Sequence, residues 1–202
     1  MKHLSKAASF FKRTLPLSLI ALLPSLAQAH PGVPGHSHGF VNGLGHPITG
    51  LDHLCAIVAV GLWAAQRGGR ALWLVPLTFV SVMLIGGILG TDGINVPYVE
   101  QGIAASVLVL GIFIAAAIRL PLAASIVIVG LFALFHGYAH GAEMPGNVSG
   151  FAYGIGFIVA TASLHLSAIA LGITTQRLAS AQVVRYLGGG IATCGFYLCF
   201  AL

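Results

Sequence analysis

Charge is scarce in this chain. Of its 202 residues 6% are charged, nine Lys or Arg and four Asp or Glu, while 57% are hydrophobic. A soluble domain carries about 25% charged residues. With a mean hydropathy of +0.97, the shortage excludes a soluble protein and predicts an integral membrane one with the lipid bilayer as its solvent. Cysteine is scarce too. Cys55, Cys194 and Cys199 lie in apolar runs without C-x-x-C spacing, so no disulfide framework is expected and the thiols read as packing residues. Cys55 follows His53 by two positions, which point to different faces of a helix. No nucleotide-binding motif is present. The H-E-x-x-H pattern is absent, which removes one class of metalloprotease. The net charge of +5 is no nucleic-acid footprint, because Lys2, Lys6, Lys12 and Arg13 precede the first apolar run and the remaining arginines are scattered.

The basic start leads into a short apolar run, 15–23, and then Ala27-Gln28-Ala29, a small-x-small cleavage site. Residues 1–29 therefore read as a secretory signal peptide, too short in its apolar part for a comfortable span. Cleavage would leave His30 as an exported N-terminus. Residues 30–45, rich in Gly, Pro and His and without periodicity, read as a flexible exported arm.

Six apolar runs follow, at about 47–66, 71–90, 97–118, 121–140, 148–173 and 183–202. Each is near the roughly 20 residues that a spanning helix needs. Residues 46–202 are thus predicted to form an all-α domain of six transmembrane helices. An exported N-terminus puts the first, third and fifth connections in the cytoplasm. These hold Arg67 and Arg70, Arg119, and Arg177 and Arg185, as the positive-inside rule requires, which fits a multi-pass protein of the inner membrane. Gly86/Gly90, Gly137/Gly141 and Gly150/Gly154 have the small-xxx-small spacing of close helix contacts.

Against this background the polar clusters stand out. Asp, Lys or Arg at the centre of a spanning helix costs roughly 2.5 to 3.5 kcal/mol on insertion scales, so such groups are usually kept for an ion path, a proton relay or a metal. In the first run, Pro47 fits the first helical position. His46 and His53 are then two turns apart on one face, with Thr49 between them. Asp52, about 100° away, either completes a site from the flank or orients an imidazole. In the fourth run, His136, His140 and Glu143 follow i, i+4, i+7 spacing and share a face. The two helices are antiparallel, so both stripes lie at the same depth. Asp52, His53, His136 and His140 are expected to hold one divalent ion in the outer half of the membrane, with His46 and Glu143 nearer its entrance. Imidazole and carboxylate are ligands for divalent transition metals.

His165, deeper in the fifth run, reads either as a relay for an inward-moving cation or as a core histidine bonded to Ser163, Ser167 or a backbone carbonyl. His30, His36 and His38 are accessory candidates for metal capture on the arm. Asp92 and Glu100 read as a loop cap and a helix-start charge.

The chain resembles the HupE/UreJ family of nickel and cobalt permeases. The resemblance rests on His30-Pro31-Gly32, on His46-Pro47-x-x-Gly50-x-Asp52-His53-Leu54-x-Ala56, and on Phe135-His136-Gly137-x-Ala139-His140-Gly141-x-Glu143. With the signal peptide and six spans it covers essentially the whole chain. It implies uptake of divalent nickel or cobalt as a transported substrate, with no prosthetic group and no catalytic residue. It also implies that His46, Asp52, His53, His136, His140 and Glu143 are needed for that uptake. Without a nucleotide motif, coupling must come from the ion gradient, the membrane potential, protons or a cytoplasmic metal acceptor. The alternative is an intramembrane metal-dependent hydrolase, in which three histidines, an aspartate and a serine activate water.

Overall fold

A computed structural model describes residues 39–144, 146 and 149–201. The expected signal peptide and His30, His36 and His38 lie outside the described residues. Within them the chain forms seven helices: α1 (Gly39–Thr49), α2 (Leu51–Arg67), α3 (Ala71–Thr91), α4 (Val99–Ala115), α5 (Leu122–Ala142), α6 (Gly150–Leu178) and α7 (Ala181–Ala201). Helices α3, α5, α6 and α7 are long and apolar enough to cross a membrane, and α1 with α2 makes a fifth candidate if the two are taken as one span bent by 82°. Among the described residues the fold is therefore all-helical, with four to five long apolar helices.

Two expectations need correction. The arm does not extend to residue 45, because Gly39–Thr49 is helical. The first apolar run is not one straight helix either. It breaks at Gly50, whose backbone is extended (φ −94, ψ 121) as the N-cap of α2. Pro47 accordingly sits inside the end of α1, not at a helix start. What stabilises α1 is tertiary packing, which overrides the poor helix propensity of its glycines. A Cβ at Gly43 would strike the Tyr153 carbonyl of α6, and one at Gly156 would strike the Phe40 carbonyl of α1. Each glycine lets the other helix's backbone come close.

Helix α2 is the centre of the bundle, packed against α3, α4, α6 and α7. Its residues 59–65 are all buried, as expected of a helix that is apolar all round. Helices α3 and α5 form the tightest pair. A Cβ at Gly86 or Gly90 would strike the carbonyl of Leu134 or Tyr138, and a Cβ at Gly137 or Gly141 that of Met83 or Gly87. The small-xxx-small spacing of these two pairs thus sets a helix crossing. The third pair does not, since a Cβ on Gly154 would meet nothing within 4 Å. Gly137→Leu should force α3 and α5 apart at a cost of at least about 1 to 3 kcal/mol, measurable as a lower melting temperature of the detergent-solubilised protein.

Helix α4, with 17 residues, is about 26 Å long, short of a hydrocarbon core of about 30 Å. Side chains from its neighbours satisfy carbonyls at and beyond its C-terminal end. Gln66 Nε2 donates to the Ile114 carbonyl at 3.0 Å and Trp63 Nε1 to that of Ile118 at 3.2 Å. Arg185 Nε donates to the Ala115 carbonyl at 2.8 Å, and Arg67 to that of Leu120. Guanidinium groups at a helix C-terminus also complement the negative end of its dipole. These contacts gather the ends of α2 and α4 and the start of α7, with their arginines, at one end of the bundle. The break at Gly50 and the last turn of α5 lie at the other.

Candidate metal centre

The bend at Gly50 determines how the site is assembled. On a continuous helix His46 and His53 would be two turns apart. On the broken one, both rings reach the same residue of α5: the His140 ring centroid is 4.7 Å from that of His46 and 4.1 Å from that of His53. His136, one turn earlier on α5, lies 4.9 Å from His53. His53, His136 and His140 are buried. Gly50 leaves room for the pair that follows it, because a Cβ there would lie 2.8 Å from Asp52 Oδ1 and 3.1 Å from His53 Nδ1 and would make them shift.

Glu143 follows directly on α5 and faces His46, with Oε2 3.6 Å from Nε2. One donor atom each from His46, His140 and Glu143 falls within 4.8 Å of the others. The neighbouring His46 holds the Glu143 carboxyl below the usual carboxylate range, more than partial burial raises it.

Asp52 does not join this trio. Its Oδ1 accepts the His53 backbone N–H at 2.8 Å and also lies 2.8 Å from His53 Nδ1. A carboxylate can only accept, so Nδ1 carries the proton and Nε2 keeps its lone pair. His53 Nε2 is buried and has no partner among the described residues. Of the two roles weighed for Asp52, the geometry is that of a carboxylate orienting an imidazole, an arrangement that also raises the basicity of a metal-binding ring.

His136 is set in the opposite sense by a residue that sequence reasoning missed. Ser106 of α4 donates its hydroxyl proton to the Ile103 carbonyl at 2.6 Å, and its Oγ lies 2.8 Å from His136 Nε2. With its single proton committed, Oγ accepts from Nε2–H, which leaves a lone pair on His136 Nδ1. That nitrogen and His140 Nδ1 are buried and have no partners among the described residues. Thr49, expected on the same stripe, instead donates to the His46 carbonyl at 2.8 Å. On α6, Phe157 packs 4.2 Å from His140 and Tyr153 5.8 Å from His46. His165 is also buried on α6 and is bonded to neither Ser163 nor Ser167, which donate to the Val159 and Ser163 carbonyls.

The arrangement offers a divalent cation several imidazole nitrogens and one carboxylate, with a second carboxylate behind them. Ser106→Ala should strand the His136 Nε2–H and release the ring, weakening Co2+ binding by about tenfold or more. Titration of the purified protein with Co2+ would measure this.

A family model described as HupE / UreJ protein matches residues 17–198. Protein HupE of Rhizobium leguminosarum bv. viciae is 44% identical over 186 residues, which cover 92% of this chain and 96% of that protein. No solved structure gives a significant match.

Proposed function

The chain belongs to the HupE/UreJ family, and from that premise we propose that it takes up divalent nickel or cobalt across the inner membrane. The observation that carries this reading is the meeting of His46, His53, His136, His140 and Glu143 around a helix break. Broken helices recur at the substrate sites of membrane transporters, where interrupted backbone is tolerated if it lines a cavity. In this reading α1 and α2 together form the first of six spans. The arginine-rich end of the bundle faces the cytoplasm and the histidine cluster faces outward. His46, His140 and Glu143 receive the ion first. His53, oriented by Asp52, and His136, oriented by Ser106, then draw it deeper. His30, His36 and His38 on the exported arm raise the local metal concentration. Mixed nitrogen and oxygen ligands bind strongly enough to strip water from the ion and weakly enough to release it.

Transport is secondary, and Ni2+ or Co2+ is the cargo. The family assignment offers nothing in favour of the hydrolase alternative. The test is uptake by purified protein in liposomes loaded with a metal-sensitive dye. Ni2+ or Co2+ should accumulate above protein-free vesicles, and Mg2+ should not. Vesicles that carry neither transition metal would overturn the proposal.

A further inference from the structure

His165 is an anomaly among the buried residues. It is 1% exposed, and among the described residues neither ring nitrogen has a partner. Almost all buried polar side-chain atoms in proteins are hydrogen-bonded, and an orphan calls for an explanation. One turn earlier on the same face of α6, Thr161 is fully buried and its Oγ1 is also unpartnered. A threonine inside a helix commonly donates to the carbonyl four residues back. Ser163, Ser167, Thr78 and Thr193 all do so here, and Thr161 does not. The helix thus keeps an imidazole and a hydroxyl unspent side by side, at i and i+4, on its buried face.

Their position is as informative as their lack of partners. The ring of Phe79 on α3 lies between two histidines, with its centroid 5.7 Å from His136 and 5.3 Å from His165. His165 is therefore one aromatic ring beyond the inner end of the cluster formed by α1, α2 and α5. His165 also borders a groove between α3 and α6 that opens to the surface of the bundle at the exposed Trp73, Leu77 and Leu166 and is lined by no second titratable side chain among the described residues. The side chains that line it offer the imidazole no hydrogen bond.

We infer that His165 and Thr161 form an inner station for the same divalent cation, which it occupies after passing Phe79 and before release inward. This inference rests on the transport reading. One imidazole and one hydroxyl make a weak site, and weakness suits a station that must release its ion. A storage site or a structural metal would need more protein ligands.

The experiment pairs flux with binding. His165→Ala in liposomes should lower maximal Ni2+ flux by about tenfold while leaving half-saturation within about twofold, the split expected when a step after binding is impaired. Its Co2+ absorption at the outer cluster should match that of the parent. His165→Cys supplies a softer ligand and should restore flux with Cd2+ more than with Ni2+, a change of metal preference that no structural role of His165 would produce. Unchanged flux in His165→Ala, loss of the outer Co2+ signal together with flux, or a His165→Cys protein that behaves like His165→Ala with both metals would each overturn the station. If the parent itself moves no metal, the transport reading fails, and the station is decided by binding alone. A second, weaker Co2+ equivalent present in the parent and absent from His165→Ala would support it, and equal stoichiometry would refute it.

Discussion

His140→Ala should reduce metal uptake to the level of protein-free vesicles. The reason is its position between the two halves of the cluster. Its ring is 4.7 Å from His46 and 4.1 Å from His53, and it supplies one of the three donors that lie within 4.8 Å of one another. Removing it dissolves the outer trio and separates what remains of it from His53 and His136. The side chain packed closest on α6, Phe157 with its ring 4.2 Å away, offers no donor atom in its place. His140→Gln fills more of the same space and separates packing from ligation. If loss of the imidazole is what matters, both variants should insert normally and both should fail in uptake. Full uptake by either one would remove His140 from the path.

Asp52→Asn should have the second largest effect, and for a different reason. The amide retains an oxygen that can accept from both His53 N–H groups, now 2.8 Å from Asp52 Oδ1, so the ring keeps its orientation. What is lost is the negative charge behind His53, and with it the added basicity of Nε2 and the compensation of an incoming cation. Changes to such orienting carboxylates cost about 10- to 100-fold in metal affinity or activity. Uptake at low metal should fall by that order, and raising the metal concentration should restore part of it. A loss that is equal at all concentrations would mean that Asp52 does more than orient His53.

The contrast between these residues shows what could be read from the sequence. His136 and His140 are on one unbroken helix and Glu143 caps its end, so their spacing alone placed them together. His46 and His53 were also expected to converge on α5, but along a straight helix. The bend at Gly50 is not legible in the sequence, because a single glycine in an apolar run is compatible with a continuous helix. Only packing against α6 shows that the residues before it form a separate element. The same packing explains α1, whose glycines suggested a flexible arm and instead allow close approach to Tyr153. Ser106 carried no signal, since one serine in an apolar helix looks like any small residue until its partner on α5 is known. For Asp52 and His165 the sequence left two roles open. The geometry turns Asp52 onto His53 and leaves His165 without the serine bonds considered for it.

The central claim is that imidazoles from α1, α2 and α5 share a divalent cation with a carboxylate. X-ray absorption at the cobalt edge of Co2+-loaded protein in detergent tests it most directly. The account predicts a first shell of imidazole nitrogen with at least one oxygen, whose nitrogen signal is reduced by His140→Ala. A first shell of oxygen alone, or one containing sulfur from Cys55, would contradict it.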